Sequence, residues 1–201
     1  MNSNATHKWV IGLTGSILSG KSTALNYFAR QGAFTLSADE IVHQLYQVPK
    51  IKKRLQSYFG TIETKEIASQ IFASPEKRKW LERFIHPLVK KELALQIRRA
   101  EKPLVVVEVP LLFERGWDKM MDLNVLVMAD DKTLPARLRE RKMSLAQYKE
   151  RLKTQWPENK KTALADVIFF HCTKNDLKRK IERFCDAFEN LIPNRSHHGR
   201  K

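Results

Sequence analysis

A chain of 201 residues has room for one domain of ordinary size, or for one domain with a modest insertion. With 42% hydrophobic and 29% charged residues it can bury a core, which excludes a disordered chain; its net charge of +15 favours polyanionic partners without choosing among nucleic acid, an anionic membrane and a nucleotide-like substrate. The two cysteines, Cys172 and Cys185, form no C-x-x-C and no zinc-spaced cluster, so neither a disulfide framework nor a metal finger is supported and both read as reduced core thiols of a cytoplasmic protein.

In chain order, the apolar stretch Trp9–Leu13 is too short for a signal peptide, and Val10–Leu13 reads as a buried strand that runs into a glycine loop. Leu25, Phe28 and Ala29 then fall at helical spacing, with Gly32 as the stop. Phe34 and Leu36 mark a second short strand, ending near Ser37-Ala38-Asp39. Residues 40–100 read as mostly helical, with Ser74-Pro75 as an N-cap and first-turn pair and with Pro87 expected to break or kink the long helix. Leu104–Val109 is a β-branched strand stopped by Pro110, and Leu123–Met128 is another. Ser144-Leu145-Ala146-Gln147 fits a capping box, and Val167–Phe170 is a last strand. Leu177, Ile181, Phe184, Cys185, Phe188 and Ile192 form one apolar stripe on a final helix, which places Cys185 in the core. Residues 194–201 read as a polar, basic tail in which His197 and His198 are solvated. No apolar run reaches the roughly 18–20 residues that cross a bilayer.

Strands alternating with helices predict an α/β fold, a mainly parallel five-stranded sheet flanked by helices. The expected organisation is a single domain over 1–201. Its core is about 9–39 and 103–192, and the helical block 40–100 is an insertion beside the strand ends, where ligands bind in such sheets.

Gly15-Ser16-Ile17-Leu18-Ser19-Gly20-Lys21-Ser22 matches G-x-x-x-x-G-K-[ST], after a strand and before a helix. Gly15 and Gly20 let the backbone turn its N–H groups inward around phosphate oxygens, and the following helix adds its positive dipole end. Lys21 is placed to reach the β- and γ-phosphates of ATP, and the Ser22 hydroxyl to ligate Mg²⁺. No glycine has an Asp three places before it, which excludes a GTPase switch of the D-x-x-G kind. Asp39, an acid just after the second strand in a small chain, suits a small-molecule kinase, where it would hold the acceptor hydroxyl.

The residues resemble the dephospho-coenzyme A kinase family. The resemblance runs from Val10-Ile11-Gly12-Leu13-Thr14-Gly15 and Ser19-Gly20-Lys21-Ser22-Thr23 through Ala38-Asp39, Ile71-Phe72 and Ile85-His86-Pro87. It continues in Pro110-Leu111-Leu112-Phe113-Glu114, Arg137, Arg141, Arg151 with Gln155, and Ala165-Asp166, so that it spans about residues 9–190. It implies ATP-dependent phosphorylation of the ribose 3′-hydroxyl of dephospho-coenzyme A, the last step of coenzyme A synthesis. It further implies a nucleoside-monophosphate-kinase-like fold with a helical acceptor lobe, about 40–100, and a lid, about 137–160. By the same resemblance Asp39 is the base or hydroxyl-orienting carboxylate, His86 and Pro110–Glu114 border the acceptor, and Arg141 closes on the phosphates. His171 takes the adenine-side position where the family has Asn.

The chain departs from the family at Ser16 and Leu18, where glycines are usual, at Ser37 for the first Asp of Asp-Ala-Asp, at Leu134 for Gln, and near Thr64 for Arg. Glu108 either stands near Mg²⁺ or caps its strand, and His86 either contacts substrate or is a structural histidine. Phe113 reads more as core than as a stacking platform. The clusters at Lys50, Lys52, Lys53 and Arg54 and at Lys77–Lys79 read as solvated helix faces that can also steer a polyphosphate acceptor. Basic residues are spread along the chain without a nucleic-acid motif, so the expected partner is the small-molecule acceptor, with no nucleic acid or membrane, for a monomer or small homo-oligomer.

Overall fold

The computed structural model describes residues 8–191, and the chain forms two compact units: the described parts of Met1–Thr35 and Glu101–Lys201, and Leu36–Ala100. Five strands are present among the described residues: β1 (Trp9–Thr14), β2 (Phe34–Ser37), β3 (Leu104–Glu108), β4 (Leu123–Ala129) and β5 (Val167–His171). They make one parallel sheet in the order β2-β3-β1-β4-β5. Gly12 of β1 stands opposite Val107 and Asn124, and Val127 stands opposite Phe169.

Position in the sheet explains the sequence patterns. In β3 every residue from Leu104 to Glu108 is buried, so the strand reads as a continuous apolar run rather than an alternation. At the edge, β5 alternates: Phe169 is buried while Ile168 and Phe170 are exposed.

Helices α1 (Lys21–Arg30) and α9 (Lys174–Leu191) supply apolar residues to the sheet. Ala24 and Phe28 join Leu177, Ile181, Cys185 and Phe188 in one cluster with Ile11, Leu13, Val125 and Val127. Phe28 meets Phe184 edge to face at 5.9 Å between ring centroids. The expected stripe on the last helix is therefore present, with Ile192 outside the described residues, as are residues 194–201 with His197 and His198. On α1 the buried alanine is Ala24 instead of Ala29, which is exposed.

The second unit is helical: α2 (Ala38–Gln47), α3 (Pro49–Phe59), α4 (Thr64–Ala73) and α5 (Pro75–Arg99). Ser74 caps α5, its Oγ accepting from Lys77 N at 3.3 Å, with Pro75 in the first turn. Of the expected break or kink at Pro87, the break does not occur: α5 runs through it. A proline inside a helix costs about 3 kcal/mol. Leu81, Ile85, Val89 and Leu93 recur on one buried face across Pro87, and each buried aliphatic side chain contributes about 1.5–3 kcal/mol, which outweighs that cost.

Three short helices complete the sheet unit: α6 (Leu134–Glu140), α7 (Leu145–Leu152) and α8 (Glu158–Thr162). Both arms of the expected capping box open α7: Gln147 N donates to Ser144 Oγ at 3.2 Å, and Ser144 N donates to Gln147 Oε1 at 2.9 Å. No helix among the described residues is long and apolar enough to cross a membrane.

Burial pushes the Cys185 thiol up to about 12, with Glu189 and Asp186 adding to the effect, whereas Cys172, just past the end of β5, is exposed and not the core thiol expected from the sequence. Below about pH 9 the thiol is neutral in both folded and unfolded chains and leaves stability unchanged. Between about pH 9 and 12 only the unfolded chain ionises it, so this residue makes stability fall as pH rises. A Cys185→Ala variant should lose about 1 kcal/mol at neutral pH, show a shallower alkaline decline in denaturant titrations, and keep its turnover. A disulfide reagent should label one thiol quickly in the native protein and the second only on unfolding; two fast thiols would contradict the buried position.

Candidate active site

The turn between β1 and α1 is set by contacts that leave no room for side chains. A Cβ on Gly15 (φ +155°) would stand 2.3 Å from the carbonyl oxygen of Val127 and 2.5 Å from Ser19 Oγ. Gly20 has φ +94° and caps α1, and a Cβ there would lie 3.0 Å from His171 Nε2. Between them Ser19 N donates to Ser16 O at 3.0 Å, tightening the loop. The first turn of α1 carries no acidic residue of its own, and the positive end of the helix faces the loop.

Lys21 is buried at 9% exposure, and its Nζ donates to Gly15 O at 3.0 Å and Ser16 O at 2.9 Å. The ammonium is thus held against the loop backbone. Beside it the Ser22 hydroxyl donates to Glu108 Oε1 at 3.2 Å. Glu108 ends β3 and is buried.

Three side chains from later in the chain grip the loop's tip. Ile17 N donates to Gln155 Oε1 at 3.0 Å. Arg137 of α6 donates through Nη1 to Leu18 O at 2.6 Å and through Nη2 to Asp130 O at 2.8 Å. His171 Nε2 lies 2.8 Å from Ser19 O; the carbonyl can only accept, so the ring donates from Nε2. This grip matters because Leu18 is left-handed at φ +63°, a conformation that costs a residue with a side chain roughly 1–2 kcal/mol. Where the family has glycine, this chain has a strained leucine held from outside.

Sequence reasoning assigned His171 a nucleotide position but missed the loop-holding roles of Gln155 and Arg137. Both were noticed only as parts of a resemblance, and a long-range bond to a backbone group leaves no local pattern. Arg141, expected on the phosphates, is exposed at the end of α6.

The segment 110–114 divides. Pro110 and Leu111 are half-buried, and Pro110 O accepts from Thr14 Oγ1 at 3.3 Å. Leu112 and Phe113 are buried at 0% and 4% exposure, which bears out the core reading of Phe113. Glu114 pairs with Lys161 at 3.0 Å and accepts from Trp156 N at 2.8 Å through the same Oε1. Asp39 and His86 belong to the helical unit. Asp39 is exposed in the first turn of α2, whose N-cap is Ser37, so it is not that helix's capping residue; His86 is half-buried within α5.

The family model for dephospho-CoA kinase matches residues 9–176. A dephospho-CoA kinase of Bartonella quintana is 34% identical, over 92% of this chain and 99% of that protein. One of Zymomonas mobilis is 37% identical, over 79% of this chain and 85% of that protein. Among solved structures, TT1252 from Thermus thermophilus superposes with a TM-score of 0.82 at 29% identity, covering 94% of this chain and all of that one. A shikimate kinase from Acinetobacter baumannii, at TM-score 0.53 and 15% identity over 93% of this chain and 97% of that one, shares the fold alone.

Gly15→Ala should reduce MgADP affinity by at least about tenfold, because the new methyl group meets the Val127 carbonyl and the loop must open to admit it. Isothermal titration will measure this, with circular dichroism to establish that the sheet is intact. Unchanged affinity would mean that the loop geometry is not what binds phosphate.

Proposed function

The chain belongs to the dephospho-coenzyme A kinase family, and from that premise we propose which of its residues move the γ-phosphoryl group of ATP onto the ribose 3′-hydroxyl of dephospho-coenzyme A, giving coenzyme A and ADP. The observation that carries the reading is the Lys21 ammonium held within the phosphate loop, directly beside the Ser22–Glu108 pair.

In this reading the backbone from Gly15 to Thr23 binds the phosphates of ATP, with the N-terminus of α1 adding its dipole. Lys21 leaves its carbonyl partners for the β- and γ-phosphates and offsets the charge that gathers there in the transition state. Arg141, on a lid formed by about residues 137–160, adds a second cation as that lid closes. His171 borders the adenine side.

Ser22 Oγ and the Glu108 carboxylate are two hard oxygen donors 3.2 Å apart, one of them anionic. That donor set fits Mg²⁺, which takes one or two protein oxygens and fills its other positions with water and substrate phosphates. When bound, the ion would spread the charge of the transferred group.

Of the acceptor-side residues, Asp39 and His86 belong to the helical unit and Pro110 and Leu111 to the sheet unit. Leu112 and Phe113, both buried, support that segment. Asp39 accepts a hydrogen bond from the 3′-hydroxyl and takes its proton as the O3′–P bond forms and the bond to ADP breaks. The surplus of positive charge attracts the acceptor's phosphates. Nucleic acid and membrane have no part in this reading, which places a monomer or small homo-oligomer in the cytoplasm.

Asp39→Asn keeps the side chain's size and removes its basicity. It should lower kcat by at least about a hundredfold while the affinity for ATP stays within about twofold. Ser37→Asp, which restores the family's second acid, should change kcat by less than about threefold. ADP release coupled to a reporter enzyme, with dephospho-coenzyme A, adenosine and AMP compared as acceptors, reads both the rates and the specificity. Normal turnover by Asp39→Asn would remove the proposed base, and equal rates with all three acceptors would remove the proposed substrate.

A further inference from the structure

Glu114 was expected beside the acceptor, yet its contacts lead elsewhere. One carboxylate oxygen, Oε1, lies 3.0 Å from Lys161 Nζ and accepts from Trp156 N at 2.8 Å. Lys161 is 0% exposed and the Glu114 side chain 7%. The Lys161 contact has the distance of an ion pair without the angles of a hydrogen bond, and the second oxygen, Oε2, is buried with no partner among the described residues.

These two contacts act on a short link. Between the end of α7 at Leu152 and the start of α8 at Glu158 the chain is not helical, and there it carries Gln155 and Trp156. Pinning the Trp156 amide fixes the peptide plane that joins it to Gln155. Lys161 belongs to α8, so the same oxygen also holds the helix beyond the link. Gln155, placed in this way, accepts from Ile17 N at 3.0 Å. A continuous series of contacts thus runs from Glu114 through Trp156 and Gln155 to the phosphate loop, next to the strained Leu18.

We propose that Glu114 and Lys161 serve the nucleotide side of the reaction as positioning residues, by holding Gln155 against the backbone of the phosphate loop. The proposal rests on the loop being the nucleotide site, and a Lys21→Ala control separates failure of that reading from failure of this one.

Removing one partner alone would strand a buried charge, so the pair is replaced together. In Glu114→Gln/Lys161→Met an amide oxygen still accepts from Trp156 N. In Glu114→Leu/Lys161→Met no acceptor remains, and the two apolar side chains fill the space. We expect the first double variant to bind MgADP within about threefold of the parent, and the second about tenfold more weakly, with a matching rise in KM for ATP. The KM for dephospho-coenzyme A should stay within about twofold in both. Gln155→Ala should weaken MgADP binding like the second double variant, with little change in melting temperature.

Parent-like MgADP affinity in Glu114→Leu/Lys161→Met, or a rise confined to the KM for dephospho-coenzyme A, would overturn the proposal and return Glu114 to the acceptor. If that variant does not fold, Gln155→Ala decides alone, and its binding MgADP normally overturns the proposal. Should Lys21→Ala also bind MgADP normally, the loop reading itself has failed.

Discussion

The site's architecture depends on how closely the turn after β1 approaches β4. Gly15 lies so near the Val127 carbonyl that not even a methyl group fits. That closeness lets the loop curl back on itself between the strand and α1, with its lysine folded inward. The parallel sheet gives the approach its rigidity. β1 is paired on both sides, with β3 and β4, so the end of the loop that leaves β1 cannot drift without breaking strand pairing.

The loop is not self-sufficient. Its tip takes a left-handed step at a leucine, and its backbone is tied at three consecutive residues to Gln155, Arg137 and His171. Glycine at that step would bring conformational freedom, which a chain must give up when it folds or binds. Here the left-handed step is made by a stiffer residue in a loop held by external contacts. The shape of the loop is therefore a property of the whole sheet unit, with contributions from residues more than a hundred positions away in sequence.

Much of the fold was legible in the sequence because local rules and burial agreed. The β-branched run of β3, the stripe on α9 and the caps at Ser74 and Ser144 each report a neighbourhood of a few residues. The phosphate loop was legible for the same reason, since its spacing is itself the geometry. The helix continues through Pro87 because a local rule is outweighed by burial along 25 residues, which no window of a few residues registers. Gln155 and Arg137 were missed because one polar side chain bonded to a distant carbonyl or amide has the same sequence signature as one in solvent. Glu114 was noticed as part of a motif, but its motif could not say which way its carboxylate turns.

The buried pairing of Lys161 with Glu114 also bears on how such a chain can change over evolutionary time. Exchange of either residue for a neutral one leaves a full charge of the other sign enclosed in protein, a lesion worth roughly 3–5 kcal/mol against a total stability of only about 5–15 kcal/mol. The two positions are thus expected to be inherited as a unit. Drift at one is purged unless the other has already moved, and related sequences should carry either both charges or neither.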